Sequence, residues 1–253
     1  MKLKLILLLL ILAAVVGFGF LFHKTSALDL APIAAGYSDK SQFFSPIKQS
    51  LATSTNDVVT GLTVPHHLLA KDLTAKAFIF ASHNKYGQVL LLSPDHFNLG
   101  QTDISTTENN FLSVFGEVKT DADAAAKLKK LPFIQEQDFF YREHGLQAEL
   151  PFIKYFFPDA KIIALTFKVT TSKTELEQIV NELKKIITPD TLVIQSTDFS
   201  HYLTPVEAEI KDEQTIEVLN LADPEKLFTL NQPDNLDSIA AQYVQTRLQS
   251  EFF

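Results

Sequence analysis

The chain has 253 residues, 46% of them hydrophobic, and a formal net charge of −8, a composition typical of a folded globular protein. Its 22 Lys and Arg residues form no basic stripe that could follow a phosphate backbone, so we expect no nucleic-acid partner. The absence of cysteine excludes disulfides, iron–sulfur clusters, thiolate-bound zinc and a cysteine nucleophile. Any metal site must therefore use His, Asp or Glu.

The amino terminus carries an uninterrupted apolar run at residues 5–22, preceded by Lys2 and Lys4. As a helix this run would be about 27 Å long, close to the hydrocarbon thickness of a bilayer. Because it has no polar face, a buried core helix is disfavoured. Residues 1–27 are predicted to be a membrane anchor or a cleaved signal peptide, and both alternatives stay open. The positive charge before the run predicts a membrane-anchored or secreted protein whose domain is extracytoplasmic.

Residues 28–56 are mixed in character and predict a linker or the start of the domain, and the domain itself covers residues 57–253. Short apolar runs rich in Val, Ile and Leu alternate with amphipathic helical patterns. This alternation predicts an α/β fold, a single three-layer domain with a largely parallel central sheet flanked by helices and preceded by an N-terminal hydrophobic helix. The predicted strands are 58–64, 88–93, 161–169 and 191–196, and the predicted helices are 67–82, 145–156, 172–187, 205–221 and 236–250.

Three of the predicted strands lead directly into polar loops that contain histidine. His66 follows the first strand, His96 follows the second, and Asp198 and His201 follow the fourth. Ligands of open α/β sheets bind beyond the carboxyl ends of the strands, so we expect these loops to converge. His144 opens a predicted helix and is expected to join them.

Two neutral imidazoles and a carboxylate are a donor set that suits a divalent first-row metal. We predict His66 and His96 as ligands, with Asp198 orienting His201 as a general base and Asp95 orienting His96. The alternative is that these are ordinary loop histidines and turn-capping aspartates. A serine hydrolase is disfavoured, because the sequence contains no Gly-x-Ser-x-Gly motif.

These stretches resemble the Memo-like family, also called AmmeMemoRadiSam system protein B. The matching segments are PHHLLA at 65–70, LLSPDHFNLG at 91–100, EHGLQAELPFIKYFFPDAKIIALTFKV at 143–169 and STDFSHYL at 196–203. The resemblance implies a fold similar to class III extradiol dioxygenases, which hold a non-haem iron with two His and one acidic residue. It also implies that His66 and His96 match the first two ligand positions and that Asp198 and His201 match pocket residues.

The third ligand is where this chain departs from the family. Memo-like proteins often supply a Cys from a carboxy-terminal segment and extradiol enzymes supply a Glu, whereas this chain contains no Cys. Asp237, at the start of a predicted helix, is the candidate replacement, and an ordinary helix N-cap is the alternative. A site of His66, His96 and Asp237 predicts a divalent first-row metal, with iron(II) preferred and copper possible.

We predict a metal-dependent oxidoreductase or dioxygenase-like enzyme, in which His201, Asp198 and His144 are the catalytic candidates. The alternative is a non-catalytic module that binds a metal, a small molecule or a peptide in the same pocket. Family association also implies AMMECR-type and radical SAM proteins as partners. These would be cytoplasmic, on the opposite side of the membrane from the predicted domain.

Overall fold

The computed structural model describes residues 31–253, which contain a six-stranded central sheet. The strands are β1 (Gly61–Val64), β2 (Gln88–Pro94), β3 (Ile104–Thr106), β4 (Phe111–Ser113), β5 (Gly116–Val118), β6 (Ile134–Glu136), β7 (Lys161–Phe167) and β8 (Thr191–Ser196). The order in the central sheet is β1-β8-β2-β7-β3-β6, and β4 and β5 form a separate hairpin. All pairs in the central sheet are parallel except β3 with β7. The predicted α/β fold with a largely parallel sheet is therefore confirmed.

Helices cover both faces of this sheet. They are α1 (Ser41–Gln49), α2 (Lys71–Ala81), α3 (Ala122–Leu128), α4 (His144–Gln147), α5 (Leu150–Phe156), α6 (Lys173–Leu183), α7 (Pro205–Asn220) and α8 (Ile239–Glu251), with 3-10 turns at Leu68–Ala70, Phe139–Tyr141 and Pro224–Thr229. Helices α1, α2 and α5 contribute to one hydrophobic cluster, and α3, α6 and α8 contribute to the other.

Strand β2 shows why the sequence pattern is a continuous apolar run. Val89 and Leu91 belong to the first cluster, whereas Leu90 and Leu92 belong to the second, and all four are fully buried. Successive side chains of a strand point to opposite faces, so a strand covered on both sides must be apolar at every position. Residues Pro32–Phe253 form one compact unit around this sheet.

The predicted element boundaries differ from the observed ones where local chemistry intervenes. The first strand begins at Gly61, because Val58 is 79% exposed and outside the sheet. The helix predicted at 145–156 is two helices, with Pro151 in the first turn of α5, where its missing N–H costs nothing. The capping box between Ser172 and Glu175 is present at the start of α6, as predicted.

The segment predicted as a linker or the start of the domain contains helix α1, whose Phe43 and Ile47 lie in the first cluster. The apolar run at 5–22, and with it the predicted N-terminal hydrophobic helix, lies outside the described residues. Within residues 31–253, none of the helices has both the length and the apolar character to cross a membrane. The membrane association of the chain therefore stays a prediction from sequence.

Candidate metal centre

The site lies at the carboxyl edge of three neighbouring strands. Val64 at the end of β1 is in register with Ser196 at the end of β8, and β8 also pairs along its length with β2. The chain therefore leaves all three strands at the same edge of the sheet. The loops that follow carry His66, Asp198 and His96, and they converge as the sequence predicts.

Three histidines meet at this edge. Ring nitrogens of His66, His96 and His144 all lie within 4.8 Å of one another. The ring centroids of His96 and His144 are 4.0 Å apart, and that of His66 is 4.7 Å from His96 and 5.0 Å from His144. His66 is only 1% exposed, and the other two side chains are partly buried. This cluster could hold a metal ion, because imidazole nitrogens are the commonest metal ligands in proteins.

The carboxylate of Asp237 lies between two of these imidazoles. Its Oδ2 is 3.2 Å from His66 Nε2 and 3.3 Å from His96 Nε2. The hydroxyl of Thr197 donates to Oδ1, and the backbone N–H of Asp198 donates to Oδ2 at 3.2 Å. Burial alone would raise the pKa of Asp237, but the adjacent imidazoles of His66 and His96 outweigh it and hold this pKa below its usual value. Asp237 is therefore an ionised, nearly buried carboxylate beside two imidazoles.

Asp237 does not act as the cap of the helix that follows. The N-cap of α8 is Ser238, whose Oγ accepts a hydrogen bond from the backbone N–H of Ala241 at 3.1 Å. The alternative that Asp237 is an ordinary N-cap is therefore wrong. The neighbouring serine takes that role, and the carboxylate of Asp237 turns towards the histidines.

His66 presents a ring nitrogen that lacks a hydrogen bond. Its Nδ1 is 3.1 Å from Ser196 Oγ, and that hydroxyl donates to the carbonyl oxygen of Gly145. Ser196 Oγ is thus an acceptor towards His66, which places the ring proton on Nδ1 and leaves Nε2 with a lone pair. Among the described residues no group hydrogen-bonds this buried Nε2, although Asp237 Oδ2 lies close to it. A cation bound between this lone pair and the carboxylate of Asp237 would interact favourably with both.

His96 is oriented by the fully buried carboxylate of Glu143. Glu143 Oε1 lies 2.5 Å from His96 Nδ1, and Oε2 accepts the backbone N–H of His96 at 3.0 Å. Glu143 also caps helix α4 by accepting the N–H of Gly145 at 3.0 Å. Burial lowers the pKa of His96, but hydrogen bonds to Asp237 and Glu143 outweigh it and raise this pKa to about 9. A carboxylate behind a histidine is a common support of metal-binding imidazoles.

His144 differs from His96 in its protonation. Burial, with smaller contributions from the neighbouring His96 and His66, lowers the pKa of His144 to about 4. Its imidazole is therefore neutral near pH 7, with a lone pair available to a metal or to a proton.

Two of the orienting contacts predicted from sequence are replaced by others. Asp95, expected to orient His96, accepts the backbone N–H groups of Leu99 and Gly100 at 3.0 and 2.8 Å and so closes its own loop. Glu143 orients His96 in its place.

Asp198, expected to orient His201, contacts His66 instead. Its Oδ1 accepts the backbone N–H of His66 at 3.0 Å, and its Oδ2 is 3.6 Å from His66 Nε2. His201 Nδ1 lies 2.7 Å from the carbonyl oxygen of Phe199, and its side chain lines an adjacent cavity. The loop after β8 therefore brings Asp198 to the histidines and turns His201 towards that cavity.

Sequence reasoning missed one buried carboxyl group in this region. Glu149 is fully buried, and neither of its carboxyl oxygens has a hydrogen-bond partner among residues 31–253. Burial, with a smaller contribution from Asp198, raises its pKa well above the usual value. The same carboxyl groups affect Tyr37. Burial, and then the negative charges of Glu149, Asp198 and Glu143, raise the pKa of the Tyr37 hydroxyl. An acidic residue inside a buried helical pattern is the one sequence signal that marks Glu149.

The comparisons with known proteins agree with the resemblance inferred from the motifs. A family model described as Memo-like protein matches residues 38–244, a range that includes the three histidines and Asp237. A MEMO1 family protein of Ignicoccus hospitalis is 29% identical over 175 residues, covering 66% of this chain and 61% of the relative. One from Saccharolobus solfataricus is 28% identical over 176 residues, covering 65% and 61%. One from Thermotoga maritima is 25% identical over 199 residues, covering 76% and 72%.

The chain spans about three fifths of the length of the first two of these relatives. The match of the family model nevertheless covers most of the chain, including the sheet and the site. The chain belongs to the Memo-like protein family.

Proposed function

We propose that this protein is a metal-dependent oxidoreductase of the dioxygenase-like kind, with a divalent first-row metal held by His66, His96 and Asp237. His144 is the candidate for a fourth donor, since its ring nitrogen lies in the same cluster. The observation that carries the proposal is the buried Nε2 of His66, which has no hydrogen bond and faces the carboxylate of Asp237. A bound cation would satisfy both groups at once.

The donor set narrows the choice of metal. Two or three imidazoles with one carboxylate suit iron(II) and also accept copper, whereas the absence of thiolate disfavours the softest ions. The supporting contacts also fit, because Glu143 holds Nδ1 of His96 and Ser196 holds Nδ1 of His66. Both rings are thereby held with Nε2 towards Asp237.

When bound, the metal would supply Lewis-acid and one-electron chemistry at this edge of the sheet. The chain itself supplies proton-handling groups around it. Where it does not bind the metal, His144 is neutral near pH 7 and has a free ring nitrogen that can accept a proton. His201 directs its Nδ1 to the carbonyl of Phe199, so its Nε2 is left to accept a proton from a ligand in the adjacent cavity.

Metal binding by the full chain tests this proposal. We expect His66→Ala, His96→Ala and Asp237→Ala each to weaken iron(II) or copper binding at least about 100-fold, because each removes one donor. His83→Ala is the matched control, since His83 is exposed and outside the cluster. Undiminished binding in the His66 and His96 variants would overturn the metal site.

Oxygen consumption by the metal-loaded full chain separates an enzyme from a binding module. We expect consumption of O₂ with catechol-like substrates, and we expect it to fall in His201→Ala while metal binding persists. A loaded metal without any O₂ consumption would favour the non-catalytic module that binds its ligand in the same pocket.

We also propose that the domain is extracytoplasmic, a proposal supported by the apolar run at 5–22 and the positive charge before it. We expect a reporter that works only outside the cytoplasm to be active when it is fused after Phe253. Activity of a reporter that works only in the cytoplasm would contradict this orientation.

A further inference from the structure

A cavity of about 640 Å³ opens beside the histidine cluster. Its walls come from the segment after β1, from helix α2, from the loop after β8 and from Asp212 on α7. Asp198 lines the cavity and also contacts His66, so it is the wall shared with the proposed metal centre. The volume lies within the range of roughly 300–1,000 Å³ that small-molecule pockets occupy.

The hydrophobic side chains on one side of this cavity are unusually exposed to solvent. Leu69 is 89% exposed, and Leu73, four residues further along the chain, is 58% exposed. Tyr202, on the loop after β8, also lines the cavity and is 96% exposed, and its backbone lies in the left-handed region with φ of 58°. A non-glycine residue in that region is strained, and such residues concentrate at ligand clamps. These side chains offer an apolar body and an aromatic ring to a ligand.

The polar side of the cavity offers hydrogen-bond acceptors and negative charge. Asp198 and Asp212 contribute carboxylates, and the free Nε2 of His201 contributes an acceptor. Only one oxygen of Asp212 is used, since Oδ1 accepts the backbone N–H of Ser200 at 3.0 Å. Among the described residues that line the cavity, none is Lys or Arg. A ligand carboxylate or phosphate would therefore meet like charge, whereas an ammonium group would find acceptors.

We propose that this cavity binds a small organic ammonium ligand, a primary amine carried on an apolar or aromatic body. The ammonium group donates to Asp212 and Asp198, and the body packs against Leu73 and the ring of Tyr202. Aromatic rings also attract cations through their faces. The inference names the ligand class of the proposed metal centre and in that sense rests on the proposed function.

Three probes of similar size and different charge test the inference by calorimetric titration of the full chain. They are 2-phenylethylamine, the neutral 2-phenylethanol and the anionic 3-phenylpropanoate. We expect the amine to bind about tenfold more tightly than the alcohol, and the carboxylate to bind most weakly. A carboxylate that binds as tightly as the amine, or the absence of amine binding up to millimolar concentration, overturns the inference.

Substitutions locate the binding. Asp212→Asn should weaken amine binding about fivefold and leave binding of the alcohol unchanged. Glu213→Gln is the matched control, because it removes the same charge from the neighbouring exposed position of α7, outside the cavity. Leu73→Ala, at a position that is 58% exposed, should weaken binding of both the amine and the alcohol. Equal effects of Asp212→Asn and Glu213→Gln overturn the assignment to this cavity.

The same titrations with iron(II) and with His66→Ala separate this inference from the proposed function. The amine should still bind His66→Ala, because His66 does not line the cavity. If the metal binds and the amine does not, only the ligand assignment fails. If the amine binds and the metal does not, the proposed metal centre fails and the cavity assignment stands.

Discussion

Glu143 Oε1 lies 2.5 Å from His96 Nδ1, and the same carboxylate group accepts the backbone N–H of His96. One buried side chain thus sets both the orientation of the ring and the path of the loop after β2. Because Nδ1 is taken by Glu143, Nε2 of His96 is directed to Asp237, 3.3 Å away. The carboxylate behind the histidine therefore decides which nitrogen faces the candidate metal site.

Glu143→Gln should weaken metal binding about 10- to 100-fold, because an amide orients the ring less firmly and does not increase its basicity. Competition titration with a metal chelator measures the change. Glu177→Gln, at an exposed position on α6, is the control and should have no effect. Because Glu143 also caps α4, circular dichroism must show that the variant is folded. Unchanged affinity in a folded variant would mean that Glu143 does not support the metal site.

Metal affinity should rise with pH. The pKa of His96 in the metal-free protein is raised to about 9, so near pH 7 this imidazole carries a proton that the metal must displace. We expect affinity to increase by up to about tenfold per pH unit from about pH 7 to about pH 9 and then to level off. Titration calorimetry in buffers of different ionisation enthalpy should show release of about one proton at pH 7. Affinity that is independent of pH in this range would contradict a role of His96 as a ligand.

Asp237→Cys should change the metal preference of the site. A thiolate is a softer donor than a carboxylate, so affinity for copper(I) should rise relative to affinity for iron(II). Asp237→Asn is the control, because it removes the charge without introducing a soft donor, and it should weaken binding of both metals. The measurement is the ratio of the two affinities for each variant under reducing conditions. An unchanged ratio in the Cys variant would show that residue 237 does not contact the metal.

Glu149→Met should stabilise the fold. Both carboxyl oxygens of Glu149 are buried without a hydrogen-bond partner in the described part of the chain, and removing such a group gains about 1–3 kcal/mol. Burial raises the folded-state pKa of Glu149 above 4.5, so the unfolded state ionises first and the wild type loses stability as pH rises through and above 4.5.

The gain from Glu149→Met should therefore be larger at pH 8 than at pH 5, as measured by urea unfolding at the two values. Glu177→Met, at an exposed position, should change the free energy of unfolding little at either pH. A loss of stability at both pH values would show that Glu149 has a favourable partner in the folded protein.

The fold was largely predictable because its central strands are buried on both faces. The apolar runs at β2, β7 and β8 are continuous, and α6 carries a capping box, so their positions follow from the sequence. The short strands β3 and β6, at one side of the sheet, were not predicted. Each has three residues, too few for a period of two to be visible in the sequence.

The candidate site was predictable in its residue types and only partly in its contacts. The loops after β1, β2 and β8 meet because parallel strands end at the same edge of a sheet. Which side chains contact one another in these loops does not follow from the parallel sheet. Asp95 is next to His96 in sequence, whereas Glu143 is next to it only in the folded structure. The packing of α4 against β2 determines that Glu143 orients His96.

The sequence by itself determined that this protein has an α/β domain, that any metal donors must be imidazoles and carboxylates, and that His66 and His96 each directly follow a strand. These properties depend on composition and on local periodicity, and both can be read from each segment of the sequence without knowing its tertiary contacts. Tertiary structure decided that Asp237 lies between the two imidazoles, that Ser238 rather than Asp237 caps α8, and that His201 faces the adjacent cavity. The contacts of Asp237 with His66 and His96 join residues more than 100 positions apart, and only the packed fold sets their distances.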